Sequence, residues 1–169
     1  KLLTGNGMWH TQETEDLPSV HLSDGPHGLR KQEEKERQNN VSLVSTCYPT
    51  ASALACSWDV TAAERLGRAV AKEAWNADVA VLLGPGINMK RSPLCGRNFE
   101  YFSEDPFLAG RLGAAYVSAA QGENVAVSLK HFAANNQETN RQTSNSQIDE
   151  RALREIYLSA FEYVVKTAR

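Results

Sequence analysis

The sequence predicts an α/β fold, a partial (β/α)8 TIM-like barrel amounting to roughly its first half. Three observations carry this. Short apolar runs alternate with amphipathic stretches, the rhythm of parallel strands joined by crossover helices. Polar residues recur just past the apolar runs: Asp24, then Trp58-Asp59, then the loop from Arg91 to Glu100, then Lys130-His131. Side chains converging from several strand ends on one face mark a barrel rather than an open doubly wound sheet. Finally, 169 residues leave room for about half of a domain that typically takes about 250.

The elements follow in order. Val20-His21-Leu22 reads as a short strand ending at Ser23-Asp24-Gly25-Pro26-His27-Gly28, where Gly and Pro mark a turn. Lys31 to Asn40 is a dense charged and polar run without apolar periodicity, a solvated excursion. A second extended segment is expected near Pro49 to Ala55. The spacing of Ala62, Leu66, Ala69, Val70 and Ala74 predicts a helix from about Thr61 to Trp75. Thr61 with Glu64 fits a capping box, and Asp59 competes as the cap. Val79 to Leu83 is the third strand. Asp105 as N-cap and Pro106 at N1 open the next helix, since a missing N–H costs nothing there. Its stripe is Phe107, Leu108, Leu112, Ala115, Tyr116 and Ala119, with Gly122 as the stop. Val125 to Leu129 is the fourth strand, breaking at Lys130-His131. A last helix opens at Asp149 and is expected to bury Leu153, Ile156, Tyr157, Ala160, Phe161 and Val164.

Composition excludes several classes. A formal net charge of −2 provides no electrostatic footprint for nucleic acid or an acidic membrane surface. No apolar run approaches the roughly 20 residues that span a bilayer. Cys47, Cys56 and Cys95 are odd in number and lack metal-type spacing, so they read as reduced, partly buried thiols of a cytoplasmic protein rather than a secreted one. The chain opens at Lys1 without Met, which leaves any leader unreadable. Gly84-Pro85-Gly86 is a poor phosphate loop: it lacks a third glycine, a directly following helix and a Walker-type Lys-Ser/Thr. No cofactor and no metal are expected.

The connection from Leu83 to Pro106 is long for a compact domain and crowded with Gly, Pro, Arg91, Arg97, Glu100 and Glu104. Such loops at strand ends are usually functional, here a site for a polar ligand. That loop resembles glycoside hydrolase family 3, closest to its bacterial β-glucosidase branch. So do Ser23-Asp24-Gly25-Pro26-His27-Gly28, Cys47-Tyr48-Pro49-Thr50-Ala51, Lys130-His131-Phe132-Ala133-Ala134-Asn135-Asn136-Gln137-Glu138 and Asp149 to Tyr157. The resemblance implies that residues 1–169 are the N-terminal part of a barrel domain, truncated at both ends, cradling one sugar in its −1 subsite.

A sugar presents hydroxyls that both donate and accept, so its pocket needs rigid charged partners, whose hydrogen bonds are roughly twice as strong as neutral ones. The resemblance implies that Asp24 grips hydroxyls far from the scissile bond and that Arg97, Lys130 and His131 donate to the others. Arg91, Glu100 and Arg141 form a second tier, with Glu100 orienting a neighbouring base. Trp58 is expected in the core beside a helix cap, with a sugar-stacking platform as the alternative.

A retaining glycosidase needs a nucleophile and an acid/base about 5–5.5 Å apart. The family's nucleophile is an aspartate in a Ser-Asp-Trp-like motif beyond the Lys-His strand, and its β-glucosidase acid/base comes from a second domain. Neither motif occurs here, so both carboxylates are expected downstream. The N-acetylglucosaminidase branch uses a histidine soon after Lys-His-Phe, and Ala133 to Glu138 contains none. The expected function is therefore the sugar-binding part of a retaining β-glucosidase acting on terminal non-reducing β-D-glucosyl residues. The expected partners are a β-glucoside or oligosaccharide and either the remaining polypeptide or a second copy. The alternatives are a non-catalytic carbohydrate-binding or scaffold half-domain, and an inverting hydrolase using Asp24 and Glu100 as its own pair.

Overall fold

The computed structural model describes residues 5–25, 27–32 and 41–168. Its centre is a parallel sheet in the order β1 (Leu22–Ser23), β2 (Val81–Leu82) and β3 (Ala126–Val127). Leu22 pairs with Val81, and Val81 with Ala126, so the three expected apolar runs share one register. Each ladder is only two residues long, shorter than its apolar run. Val79 and Val125 lie outside the ladders and are still 1% exposed, because burial extends further along each run than hydrogen bonding does. The outer side of β1 is occupied. Trp9 to Thr11 runs antiparallel along it, with Leu22 N donating to Trp9 O (2.7 Å) and Thr11 N to Val20 O (3.1 Å).

Among the described residues, two helices lie between β1 and β2. The segment expected to be extended contains α1 (Ala51–Ala55). Thr50 Oγ1 caps it by accepting from Ala53 N at 3.1 Å, and its Ala and Leu residues favour a helix. For α2 (Val60–Asn76) the cap is Asp59 rather than Thr61: Asp59 Oδ1 accepts from Thr61 N (2.8 Å) and from Thr61 Oγ1 (2.7 Å). Trp58 does not enter the core. Its left-handed φ of 55° between the two helices turns the indole outward, 74% exposed.

Ala63, Gly67, Val70, Ala71 and Ala74 form the buried face of α2, which packs on α3 (Pro106–Gln121). Asp105 caps α3 from Phe107 N (2.9 Å) and Leu108 N (3.3 Å), with Pro106 at N1 as expected. Two details differ from expectation. Phe107 is 67% exposed beneath the Arg111 guanidinium, outside the buried stripe. Gly122 keeps a right-handed φ, and the left-handed residue that turns the chain toward β3 is Asn124 (φ 62°).

The last helix starts at Asp149, whose Oδ1 accepts from Ala152 N (3.0 Å). It comprises α4 (Glu150–Ala152), a π turn over Leu153–Tyr157 and α5 (Ser159–Thr167). Ala160, Phe161 and Val164 are buried, whereas Leu153, Ile156 and Tyr157 are half-buried, because the wider turn shifts the phase of the stripe.

One core joins α1, α3, α5 and the segment Ile87 to Phe102, and a second lies between the sheet, α2 and α3. Each large apolar side chain fully buried there contributes roughly 1.5–3 kcal/mol. Lys31, at the start of the charged run, donates to Ala77 O at the end of α2 (2.6 Å), where a cation complements the helix dipole. The rest of that run, 33–40, lies outside the described residues, as does Pro26. Cys95 is buried, Cys47 and Cys56 are exposed, and all three are free thiols. No described helix is long and apolar enough to cross a membrane.

Candidate functional site

Past β2 and β3 the two chains stay paired: Lys130 N donates to Pro85 O (3.1 Å) and Ile87 N to Lys130 O (2.8 Å). Gly86 bridges both Lys130 and Tyr101. A Cβ on Gly86 would lie 2.9 Å from the Tyr101 ring, so Gly84-Pro85-Gly86 provides close approach for an aromatic ring. Asp24 follows β1 on a turn closed by Arg30 N donating to Asp24 O (2.7 Å). Gly28 holds that turn at φ 137°, where a Cβ would lie 2.2 Å from Thr46 O.

These supports bring charged groups from four segments together. Lys130 Nζ donates to Asp24 Oδ1 at 2.7 Å and lies 3.9 Å from Glu100 Oε2. Glu100, 4% exposed, also accepts from Arg97 Nε. Arg97 Nη2 meets His131 Nε2 at 2.7 Å, and Arg97 Nη1 is 4.0 Å from Glu138, which accepts from Arg141 Nη1 at 3.2 Å. Three carboxylates thus alternate with three cations, and a buried charge so paired avoids most of its desolvation cost. Burial works to raise the Asp24 pKa, but the Lys130 hydrogen bond and charge outweigh it, aided by the Gly25 N–H, and hold the carboxyl below the usual range. A general acid needs the opposite shift, which counts against Asp24 and Glu100 as a self-sufficient catalytic pair.

The proton on His131 can be assigned from its partners. Arg97 is donor-only, so Nε2 must carry the lone pair. The neutral ring then keeps its proton on Nδ1, which donates to Tyr101 Oη at 3.0 Å. Asn135 Nδ2 donates to the same oxygen (2.8 Å) and to Glu138 Oε1 (2.8 Å), which fixes the Asn135 amide orientation. Burial, with the charges of Arg97 and Lys130, presses the imidazole pKa down to about 4, and burial pushes the Tyr101 phenol up to about 12. His131 is therefore a neutral hydrogen-bonding group at physiological pH. Asn88, 2% exposed, clamps its peptide on both sides, with Oδ1 accepting from His131 N (2.7 Å) and Nδ2 donating to His131 O (2.9 Å).

Beside this network a cleft of about 520 Å³ opens, lined by Arg97, His131, Asn135, Gln137, Arg141 and Ser144 among others. Asp24, Lys130 and Glu100 do not line it and connect to it through Arg97, and the Asp24 side chain is 31% exposed. The structure thus brings together Asp24, Arg97, Lys130, His131, Glu100 and Arg141. It leaves Arg91 exposed, with no hydrogen bond or ion pair among the described residues, because its segment turns outward before Arg97. Sequence reasoning passed over Tyr101, Asn88 and Asn135. Asn88 did carry a signal: a lone amide between the buried apolar residues Ile87 and Met89 needs a polar partner.

Parallel strands with a charge-paired cluster of donors and acceptors past their C-terminal ends define the class, an α/β protein. The profile of the glycosyl hydrolase family 3 N-terminal domain matches residues 25–169, and the chain belongs to that family. It is 53% identical to thermostable β-glucosidase B of Acetivibrio thermocellus and 48% identical to an exo-α-(1→6)-L-arabinopyranosidase of Bifidobacterium longum. Each alignment covers 99% of this chain and 23% of the relative. The structure of β-glucosidase from Kluyveromyces marxianus in complex with glucose superposes with a TM-score of 0.92 at 44% identity, over 99% of this chain and 20% of that one. The chain spans about a quarter of the length of the curated relatives it matches.

Proposed function

We propose that this chain is the N-terminal part of the barrel domain of a retaining β-glucosidase and supplies much of its −1 subsite. The observation that carries the reading is the continuous run Asp24–Lys130–Glu100–Arg97–His131 at one end of three parallel strands, in a chain of this family. Asp24 accepts from vicinal hydroxyls while Lys130, Arg97 and Arg141 donate; the neutral His131, its two nitrogens engaged by Arg97 and Tyr101, acts by holding Arg97 instead of donating to the sugar itself. Such contacts tighten as the ring flattens toward an oxocarbenium-like transition state. Lys130 keeps Asp24 ionised and so unsuited to be the proton donor, and on the family resemblance we assign both the nucleophile and the acid/base to polypeptide outside these 169 residues. With the outer side of β1 already paired antiparallel, the barrel in this reading does not close through a parallel strand on β1.

The relative named an arabinopyranosidase favours a second substrate. An α-L-arabinopyranoside has the ring of a β-D-galactopyranoside without its C6 hydroxymethyl, so the same donors and acceptors could serve it. The test is hydrolysis by the full-length polypeptide of aryl β-D-glucoside and aryl α-L-arabinopyranoside, with NMR of the first-formed anomer. Preference for the glucoside with β-glucose released first supports the reading. Release of α-glucose, or a preference for the arabinopyranoside, overturns the retaining or the glucosidase assignment respectively. Sugar binding without turnover supports the non-catalytic alternative.

A further inference from the structure

Glu138 contacts the site from behind. The cleft is lined by Arg97, Asn135, Gln137 and Arg141, whereas Glu138 is not among its lining residues. Resting on the β-glucosidase reading above, we propose that Glu138 is a positioning residue that aims Arg97 and Arg141 at the bound sugar.

Its two oxygens divide the work. Oε2 accepts from Arg141 Nη1 at 3.2 Å. Oε1 accepts from Asn135 Nδ2 at 2.8 Å and lies 4.0 Å from Arg97 Nη1. Arg97 has two hydrogen-bonded anchors, Glu100 on Nε and His131 on Nη2, and Glu138 adds a longer charge contact at Nη1. Arg141 is different. Its side chain is 53% exposed, and Glu138 is its single ion-pair partner among the described residues. An arginine side chain loses considerable rotamer freedom when it is held in one geometry. Without Glu138 that loss would fall on sugar binding. Two guanidinium groups directed at one cleft also repel, and a carboxylate between them offsets that repulsion. Burial works to raise the Glu138 pKa, but the Asn135 hydrogen bond and the charges of Arg141 and Arg97 outweigh it, so the group stays ionised at neutral pH. That suits an electrostatic brace and not a proton donor.

The test is a double-mutant cycle in the full-length polypeptide, with KM and kcat for an aryl β-glucoside and Ki for glucose as readouts. Glu138→Gln keeps the shape and removes the charge. It should raise KM and glucose Ki about tenfold while kcat changes less than about threefold, the size expected for a lost charged hydrogen bond. In an Arg141→Met background the same substitution should cost less than about threefold, since the group it aims is gone and shared networks are non-additive. A full repeat of the tenfold loss in that background overturns the proposal, as does a Glu138→Gln effect within about twofold. If Glu138→Gln does not fold, Glu138→Asp keeps the charge one methylene short, and an unchanged glucose Ki there overturns it equally. The two readings fail separately. Absent wild-type turnover sinks the β-glucosidase assignment, and the cycle is then read on the Kd of glucose; an additive cycle sinks the positioning role alone.

Discussion

One ammonium, Lys130 Nζ, is shared by Asp24 and Glu100, and one guanidinium, Arg97, is shared by Glu100, His131 and Glu138. Removing Asp24 takes the hydrogen-bonded partner from the Lys130 ammonium and leaves it the 3.9 Å contact with Glu100. In the full-length polypeptide, Asp24→Ala should lower kcat/KM for an aryl β-glucoside by at least about a thousandfold, because sugar hydroxyl contacts that tighten in the transition state supply several kcal/mol. A loss below about tenfold would make Asp24 a turn residue and nothing more.

The His131 environment yields a pH prediction. The imidazole pKa of about 4 in the folded chain lies below its ordinary 6.5, so the unfolded state binds the extra proton between those values. Stability is then full above about pH 6.5 and is lost as pH falls toward about 4. Asp24, also depressed, adds stability that is lost at still lower pH, as its own folded value is crossed. Melting temperature should be flat around pH 7 and fall below about pH 6, and an imidazole nitrogen NMR titration should place the His131 midpoint below about pH 5. A midpoint above about pH 6 would mean that Arg97 does not donate to the ring.

At the scale of elements, α2 and α3 approach closely. Gly67 faces the backbone of α3, and a Cβ there would lie 2.4 Å from Tyr116 O. Gly67→Ala should therefore destabilise the protein by about 1–3 kcal/mol although alanine is the better helix former, because the helices must part. A urea midpoint unchanged or raised would show that they separate without cost. The cap of α3 provides a smaller test: Asp105→Ala frees two N–H groups and should cost about 1 kcal/mol. A loss much smaller than that would mean that water satisfies those groups equally well. α3 was legible through its cap and period and α4 through its Asp149 cap, since those signals are local, whereas α5 has no side-chain cap of its own. α1 was not legible, because the sequence reading passed over Thr50 as a cap and five residues are too few for a periodic stripe. The π turn at Leu153–Tyr157 was equally silent, since one wider turn changes which residues are buried without changing the local composition.

For the whole molecule, the consequence of β3 and α5 is an uncovered apolar face. Leu129, Phe132, Leu158, Phe161 and Val165 line a cleft of about 570 Å³, with Phe132 76% and Val165 73% exposed. Exposed patches of this kind drive association. The isolated 169-residue chain should therefore self-associate and show no turnover of a chromogenic β-glucoside, since a proton donor and a carboxylate beneath the anomeric centre are both needed. Sedimentation as a stable 18.6 kDa monomer would count against the first expectation. Turnover abolished by Lys130→Ala would overturn the second.

The sequence by itself determined the class and named part of the charged cluster. Alternating apolar runs, the caps at Asp105 and Asp149, and Asp24, Arg97, Lys130 and His131 at strand ends were all readable, because each is a local pattern of residue type and spacing. Only the tertiary structure decided the rest. It set Trp58 outside the core, left Arg91 apart from the cluster, made Asn88 the clamp on the His131 peptide, and stood Tyr101 against Gly86. It also paired Trp9 to Thr11 with the outer side of β1, which no strand pattern had marked. The physical reason is the same throughout. Which charge meets which, and which proton sits on which nitrogen, depends on distances between segments up to 106 residues apart, as for Asp24 and Lys130, and no local pattern records those distances.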